Sequence, residues 1–233
     1  MRDAIVVRGG WEGHAPVAAT ELFIPLLRSR GFAVEVHSDL DVYTDAARLA
    51  AADLVVQCWS IGTITDAQAE GLAEAVRGGT GFAGWHGGIV GAFHHTTYHQ
   101  LTGGVFVHHP PGFVHHELTV VPARAAHPVV AGIGTVALHT EKYWVLSDPL
   151  NDVLATVTFD TEPVTEPAVA AVGAAPGRVA GTPWQVPVTL PAVWTRVWGA
   201  GRVFVSTVGH KLDDFDAPEV RAITERGLLW AAR

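Results

Sequence analysis

The sequence predicts an α/β fold: a mostly parallel sheet with helices on both faces, finished by a C-terminal β-hairpin. Three observations carry this. Up to residue 86, short apolar runs of strand length alternate with longer helix-like stretches, the pattern of βα units. The run at 52–60, ADLVVQCWS, is apolar without alternation, as a strand covered on both faces must be. Late in the chain, two β-rich runs meet at Gly199-Ala200-Gly201, a hairpin connection.

The elements follow in order. AIVVRGG (4–10) is a short buried strand closed by glycines. A helix is expected over about 16–30, with Arg28 and Arg30 in its last turn, Gly31 as its stop, and Pro25 kinking or splitting it. FAVEVHSDL (32–40) alternates as a strand does, and 52–60 is the central strand. TDAQAEGLAEAVRGG carries the strongest helix signals: Thr65 and Gln68 at capping-box spacing, and Gly78-Gly79 at the end. TGFAGWH (80–86) returns as a strand. Residues 87–115, rich in Gly, His and Pro, are too long for an ordinary connection and read as a functional loop. Strand-like runs follow at 116–123, 136–146 and 152–159, then an irregular Gly/Pro-rich stretch at 160–187. The hairpin strands are 188–198 and 202–210. A last helix opens at Pro218 and turns Val220, Ile223 and Trp230 inward.

With 233 residues, 48% hydrophobic and 16% charged, the chain suits one large domain over 1–233 with a sizeable core. Its net charge of −8, with only two lysines (Lys142, Lys211) and no basic run, argues against nucleic acid as a partner. The single cysteine, Cys58, excludes an internal disulfide and a cysteine zinc cage. No apolar run approaches the roughly 20 residues of a membrane span, and the N-terminus has no signal-like segment. A cytoplasmic protein is expected; a homo-oligomer is compatible with the sequence.

In parallel sheets ligands gather beyond the carboxyl ends of the strands, and several unusual residues fall there. His14 follows the first strand, Trp59 and Ser60 end the third, His86 ends the fourth, and His210 ends the late hairpin strand. Glu141 and Tyr143 come shortly after the run at 136. His86 sits in GWHGG, where small residues crowd a sharp strand-to-helix turn of the kind that presents a nucleophile. There it is either a proton donor and acceptor, a metal ligand, or a ring that merely bonds backbone at the turn. Thirteen histidines occur, eight of them between His86 and His116. His95 and His99 would share a helix face, but the glutamate of H-E-x-x-H is missing and no carboxylate lies between Glu74 and Glu117. Most of these histidines read as surface or loop residues; His109, preceding Pro110, is the one singled out. Glu141, beside Lys142, is either a solvated charge or a carboxyl buried by Tyr143 and Trp144 and so suited to acid–base work. Cys58 lacks a glycine elbow and reads as core.

The ordered set GWHGG, YHQLTGGVFVHHP, HPVVAGI, TEKYW, PAVWTRVWGAGRVFVSTVGH and RGLLWA resembles the ThuA-like family, the trehalose utilisation proteins. The resemblance implies a flavodoxin-like fold related to class I glutamine amidotransferases. In those enzymes the elbow holds a nucleophilic cysteine; the corresponding position looks like His86, so amidotransferase activity is not expected. Where the family commonly has an acidic pair before tyrosine, this chain has Thr140-Glu141. The resemblance points to carbohydrate metabolism, on a disaccharide or an oxidised sugar.

Three functional expectations follow. The first is acid–base chemistry on a small sugar, with His86, Glu141 and His210 catalytic and His14, Trp59, His109 and Tyr143 shaping the substrate pocket. The second is hydrolysis or elimination at a divalent metal such as zinc, held by His86, His109 and His210 with an open position for water. The third is a non-catalytic sugar-binding or regulatory protein on the same fold.

Overall fold

The computed structural model describes residues 2–161 and 184–233; most of the stretch read as irregular, 160–187, lies outside the described residues. The first part of the chain runs β1 (Arg2–Gly10), α1 (Pro16–Glu21), α2 (Ile24–Ser29), β2 (Phe32–His37), α3 (Ala46–Ala51), β3 (Leu54–Ser60), α4 (Asp66–Arg77) and β4 (Gly81–Trp85). It continues with α5 (Thr96–Thr102), β5 (Gly104–His108), β6 (Val114–Val120), β7 (Thr135–Thr140), β8 (Trp144–Ser147) and β9 (Asp152–Phe159). The hairpin β10 (Val188–Trp198) and β11 (Gly201–Ser206) and the helix α6 (Pro218–Ala231) close it.

A nine-stranded sheet has the order β2-β1-β3-β4-β11-β10-β9-β6-β7. Its first five strands are parallel, and their order is that of a flavodoxin-like sheet with the hairpin's second strand in fifth place. The other four join antiparallel. Alternate residues of each parallel strand face opposite layers. Ala4, Val6, Ala83 and Trp85 pack with Phe23, Ile24 and Leu27 of the α1–α2 segment and Ile223 and Leu228 of α6. Ile5, Val7, Val55 and Phe82 pack with Leu49, Leu72, Val76 and Leu101 from α3, α4 and α5.

Most sequence signals act as expected. Pro25 splits the first helical stretch and sits in the first turn of its second half. Thr65 and Gln68 form the capping box of α4. Three differences matter. The run at 136–146 is two strands: β7 belongs to the large sheet, β8 pairs with β5, and Glu141–Tyr143 form the break between them. The segment 87–115 is not a plain loop but holds α5 and β5. A helix, α3, forms where none is expected; Asp45 caps it by accepting from the Arg48 amide.

One buried polar network fixes how β4 leaves the sheet. Gln57, fully buried in the middle of β3, accepts from the Tyr43 hydroxyl at 2.9 Å and donates to the Gly88 carbonyl at 3.0 Å. The Tyr98 hydroxyl, which also receives a bond from Gln57, donates to the Ile89 carbonyl at 2.8 Å. The carbonyls of the turn after β4 are thereby satisfied inside the core, where an unpaired group is costly. Replacing Gln57 by Leu should therefore lower unfolding stability by roughly 1–3 kcal/mol, as leaving buried partners unpaired does. Urea denaturation checks this; an unchanged midpoint would show that the turn does not need these bonds.

Candidate active site

Four neighbouring strands deliver side chains to one rim. His14 lies in the turn after β1, Ser60 ends β3, His86 follows β4, and His210 follows β11. These are the carboxyl ends of adjacent parallel strands, where such sheets place their ligands. Glu141 arrives from the antiparallel half, in the break between β7 and β8.

His86 turns the chain at φ 50°, a left-handed conformation that few non-glycine residues adopt. The bend takes the backbone directly from β4 into a single 3-10 turn, His86–Gly88. Close approach makes the neighbouring glycines necessary. A Cβ on Gly87 would lie 2.3 Å from His14 Cε1, and one on Gly88 would lie 2.9 Å from the Cys58 backbone.

Side-chain geometry is tight. His86 Nδ1 donates to the Thr207 carbonyl at 2.8 Å, so Nε2 faces the site. That nitrogen lies 3.1 Å from Glu141 Oε2 and 3.2 Å from His210 Nδ1, and His210 Nδ1 is 3.0 Å from the same carboxylate oxygen. His14 Nδ1 bonds Ser60 Oγ at 2.7 Å, and its ring meets those of His86 and His210 edge-on at 4.8 and 4.9 Å. Tyr143 stacks on His86 with ring centres 4.0 Å apart, within the electrostatic reach of Glu141. His109 stands outside, its Nε2 3.5 Å from Glu141 Oε1.

Burial sets the charges. It pulls the His14 pKa down to about 3, with the neighbouring histidines adding to the effect, and it pulls His86 down as well. Burial alone would raise Glu141, but a hydrogen bond from His210 and the nearness of the His210 and His86 rings outweigh it and hold the carboxyl below its usual range. The proton on His86 is already given to the Thr207 carbonyl, so His210 is the donor we assign to Glu141 Oε2. Burial, with the Glu141 charge behind it, pushes the Tyr143 hydroxyl up, keeping it a donor.

A cavity of about 880 Å³ opens beside the cluster, lined by Trp11, Trp59, Ile61, Val90, Phe93 and Phe106 among others. Trp11 and Phe106 join it to the cluster, Trp11 edge-on to His14 and Phe106 4.3 Å from the Tyr143 ring. Among the described residues its lining has no lysine, arginine, aspartate or glutamate.

The sequence-named residues divide accordingly. His14, His86, Glu141, Tyr143 and His210 meet directly, His109 touches the outer carboxylate oxygen, and Trp59 lines the cavity. The ligand atoms that converge are those of His14, His86, Glu141 and His210, all within 4.8 Å of one another; the expected metal set had His109 in place of His14 and Glu141. His95 and His99 are spent locally: His95 Nε2 is 2.9 Å from Asp66, and His99 Nε2 donates to the Phe93 carbonyl. Cys58 is buried, and burial lifts its thiol to about 12. Two contributors carried no sequence signal. Trp11 reads as one more apolar residue in a loop. Asp214 reads as one of several acidic residues in KLDDFD, yet its buried Oδ2 accepts from Thr140 Oγ1 at 2.7 Å and from the His210 amide at 2.9 Å. It ties the end of β7, and so Glu141, to the loop of His210.

The sheet has the class I amidotransferase-like fold, and its β4 elbow carries a histidine. The chain belongs to the ThuA family, described as trehalose utilisation, whose model matches residues 3–231. No curated protein matches it significantly. Among solved structures it is similar to a ThuA-like protein from Bacteroides uniformis, at 16% identity over 99% of this chain and 91% of that one, TM-score 0.71. It is similar to a cytoplasmic protein from Salmonella typhimurium, at 12% identity over 100% of both chains, TM-score 0.59. It is also similar to part of a β-galactosidase from Bacillus circulans sp. alkalophilus, at 11% identity over 99% of this chain and 30% of that one, TM-score 0.57. At these identities the likeness is one of fold.

Asp214→Ala should free the His210 loop from β7. The expected result is a loss of roughly 1–3 kcal/mol in stability, as for other buried groups left unpaired, and faster hydrogen exchange at the His210 and Lys211 amides. Unchanged exchange at those amides would show that Asp214 does not hold the loop.

Proposed function

We propose that the chain is a carbohydrate-metabolism enzyme acting on an uncharged disaccharide, or on an oxidised but still uncharged sugar, by proton transfer at the strand rim. The observation that carries this reading is Glu141: Oε2 faces His86 and His210, Oε1 faces His109, and an aromatic cavity lies alongside. Held ionised, Glu141 orients the imidazoles around it and stabilises the positive charge that develops when one of them takes a proton, while an imidazole gives or takes the proton itself. The family's link to trehalose utilisation supports the substrate class. So does the cavity. Aromatic faces suit the apolar side of a pyranose ring, and with no lysine or arginine in its lining among the described residues a phosphate or carboxylate meets no counter-charge from them.

Roles follow from exposure. The His86 side chain is 2% exposed, against 12% for Glu141 and 32% for His109. His86 therefore acts as the fixed backing of the cluster, while Glu141 and His109 face the substrate. Trp11 and Trp59 hold the second sugar ring.

With a panel of neutral disaccharides and their keto derivatives, Glu141→Gln should lower kcat by roughly 10²–10⁴-fold, the usual weight of the acid–base step it supports. Trp59→Ala should act mainly on KM. Product formation by chromatography and thermal melting, to confirm folding, are the measurements. A Glu141→Gln variant that is folded and turns over at the wild-type rate would refute the assignment.

A further inference from the structure

We propose that His14, His86, Glu141 and His210 form a divalent metal centre of the zinc type; this rests on the reading of the rim as the active site and names the ion that organises it. The first support is a shortage of protons. Three atoms, His86 Nε2, His210 Nδ1 and Glu141 Oε2, form a triangle with sides of 3.0, 3.1 and 3.2 Å. The Thr207 carbonyl can only accept, so the hydrogen of neutral His86 is on Nδ1 and its Nε2 presents a lone pair. His210 has one hydrogen at most on Nδ1, and that can point along only one of its two sides of the triangle. Whichever it serves, at least one pair of lone pairs is left facing at hydrogen-bond distance, in a place where His86 is 1% exposed and water cannot intervene freely. A cation at the centre satisfies all three atoms together.

The second support is size. In a tetrahedral site with bonds of about 2.0–2.1 Å, neighbouring ligand atoms lie about 3.3 Å apart. The three sides match that edge closely. The fourth residue, His14, has its ligand atom within 4.8 Å of those of its proposed partners.

The third support lies behind the ligands. Metal-binding histidines characteristically give their other nitrogen to a carbonyl, a carboxylate or another fixed group, which sets the tautomer and aims the ring. His86 has the Thr207 carbonyl, and His14 has Ser60 Oγ, which leaves Nε2 as its free nitrogen. The His210 backbone is fixed by Asp214. Three imidazoles and one carboxylate suit zinc or another first-row divalent ion over calcium or magnesium, which prefer oxygen. His109 stays outside the set, its Nδ1 bonded to the Pro110 carbonyl at 2.7 Å and its Nε2 3.5 Å from Glu141 Oε1, so in the loaded protein it and Tyr143 are the groups left to handle protons.

The experiment uses the full chain without an affinity tag, purified without chelator and analysed for metals. Stoichiometric zinc, or another first-row divalent ion, is expected in the wild type and in the surface variant His115→Ala, and background levels in His86→Ala. Because His86→Ala is a drastic change at a buried turn, a gentler variant accompanies it: Ser60→Ala, which should weaken metal affinity roughly 10–100-fold, as loss of such backing partners does. Chelator-treated wild type should gain thermal stability on adding zinc or cobalt, and the cobalt form should show the visible bands of a four-coordinate ion. Metal-free protein that shows no stabilisation by zinc, cobalt, nickel or manganese would overturn the proposal. So would metal content unchanged by both variants. The two readings fail separately: sugar turnover lost in Glu141→Gln without any metal binding would leave the active site standing and remove the metal, whereas metal binding without any sugar turnover would do the reverse.

Discussion

The left-handed turn at His86 is the constraint on which the site depends. A residue with a Cβ at φ 50° costs of order 1–3 kcal/mol, and such strain persists only where the surroundings over-determine it. Here they do so from three sides. Gln57 and Tyr98 take the carbonyls of Gly88 and Ile89 from within the core, the Thr207 carbonyl on the neighbouring strand end receives the imidazole, and Gly87 leaves room for His14. The bend turns the side chain away from the sheet interior and into the rim. An unstrained continuation of β4 would carry His86 past its neighbours. The strain is thus local evidence for function, since the same polar groups that stabilise the turn also aim the ring.

The second half of the site has a different origin. His14, His86 and His210 follow β1, β4 and β11 of one parallel sheet, with only β3 between the first two, so the sheet alone brings them to one rim. Glu141 does not belong to that sheet half. It is carried in by a break between two strands that pair with different partners, β7 with β6 and β8 with β5. Such a break leaves its residues without ladder bonds, and Asp214 supplies the missing anchor by joining Thr140 to the His210 backbone. The carboxylate is therefore positioned against the histidines by buried anchors on both sides, Asp214 through Thr140 and Lys142 through the Thr158 carbonyl, and the two halves of the sheet become a single rim. The antiparallel extension is more than added core: its geometry delivers the only carboxylate in the converging group.

This division explains what could be read in the sequence. The parallel half was legible because its signals are local: unbroken apolar runs, a capping box at Thr65, a proline that splits a helix at Pro25, and glycines around His86. Strand ends in a parallel sheet share a rim by topology, so locating them located His14, His86 and His210 too. Glu141 was legible as a candidate but not its setting, because 136–146 has no punctuation at the break and the exchange of partners there is a long-range choice. The helix α3 was missed for a related reason. DAARLAA is short, and its single cap at Asp45 is a weak signal beside the surrounding strands. Asp214 and Trp11 matter only through contacts with residues distant in sequence, and nothing in their neighbours announces that.

The histidine at the elbow also decides what chemistry the rim can support. Cys58 lies in the adjacent strand, but it is buried within the sheet and its thiol is raised to about 12, so it offers no thiolate at neutral pH. An imidazole at the elbow differs from a thiolate in two respects. It does not hold an acyl group as a stable thioester, and it binds protons and borderline metal ions well. The elbow imidazole is further committed by its Nδ1 bond to Thr207, which leaves a single nitrogen directed at Glu141 and His210. The strand-end geometry here gathers three imidazoles and one carboxylate around one point, so the elbow serves to hold charge.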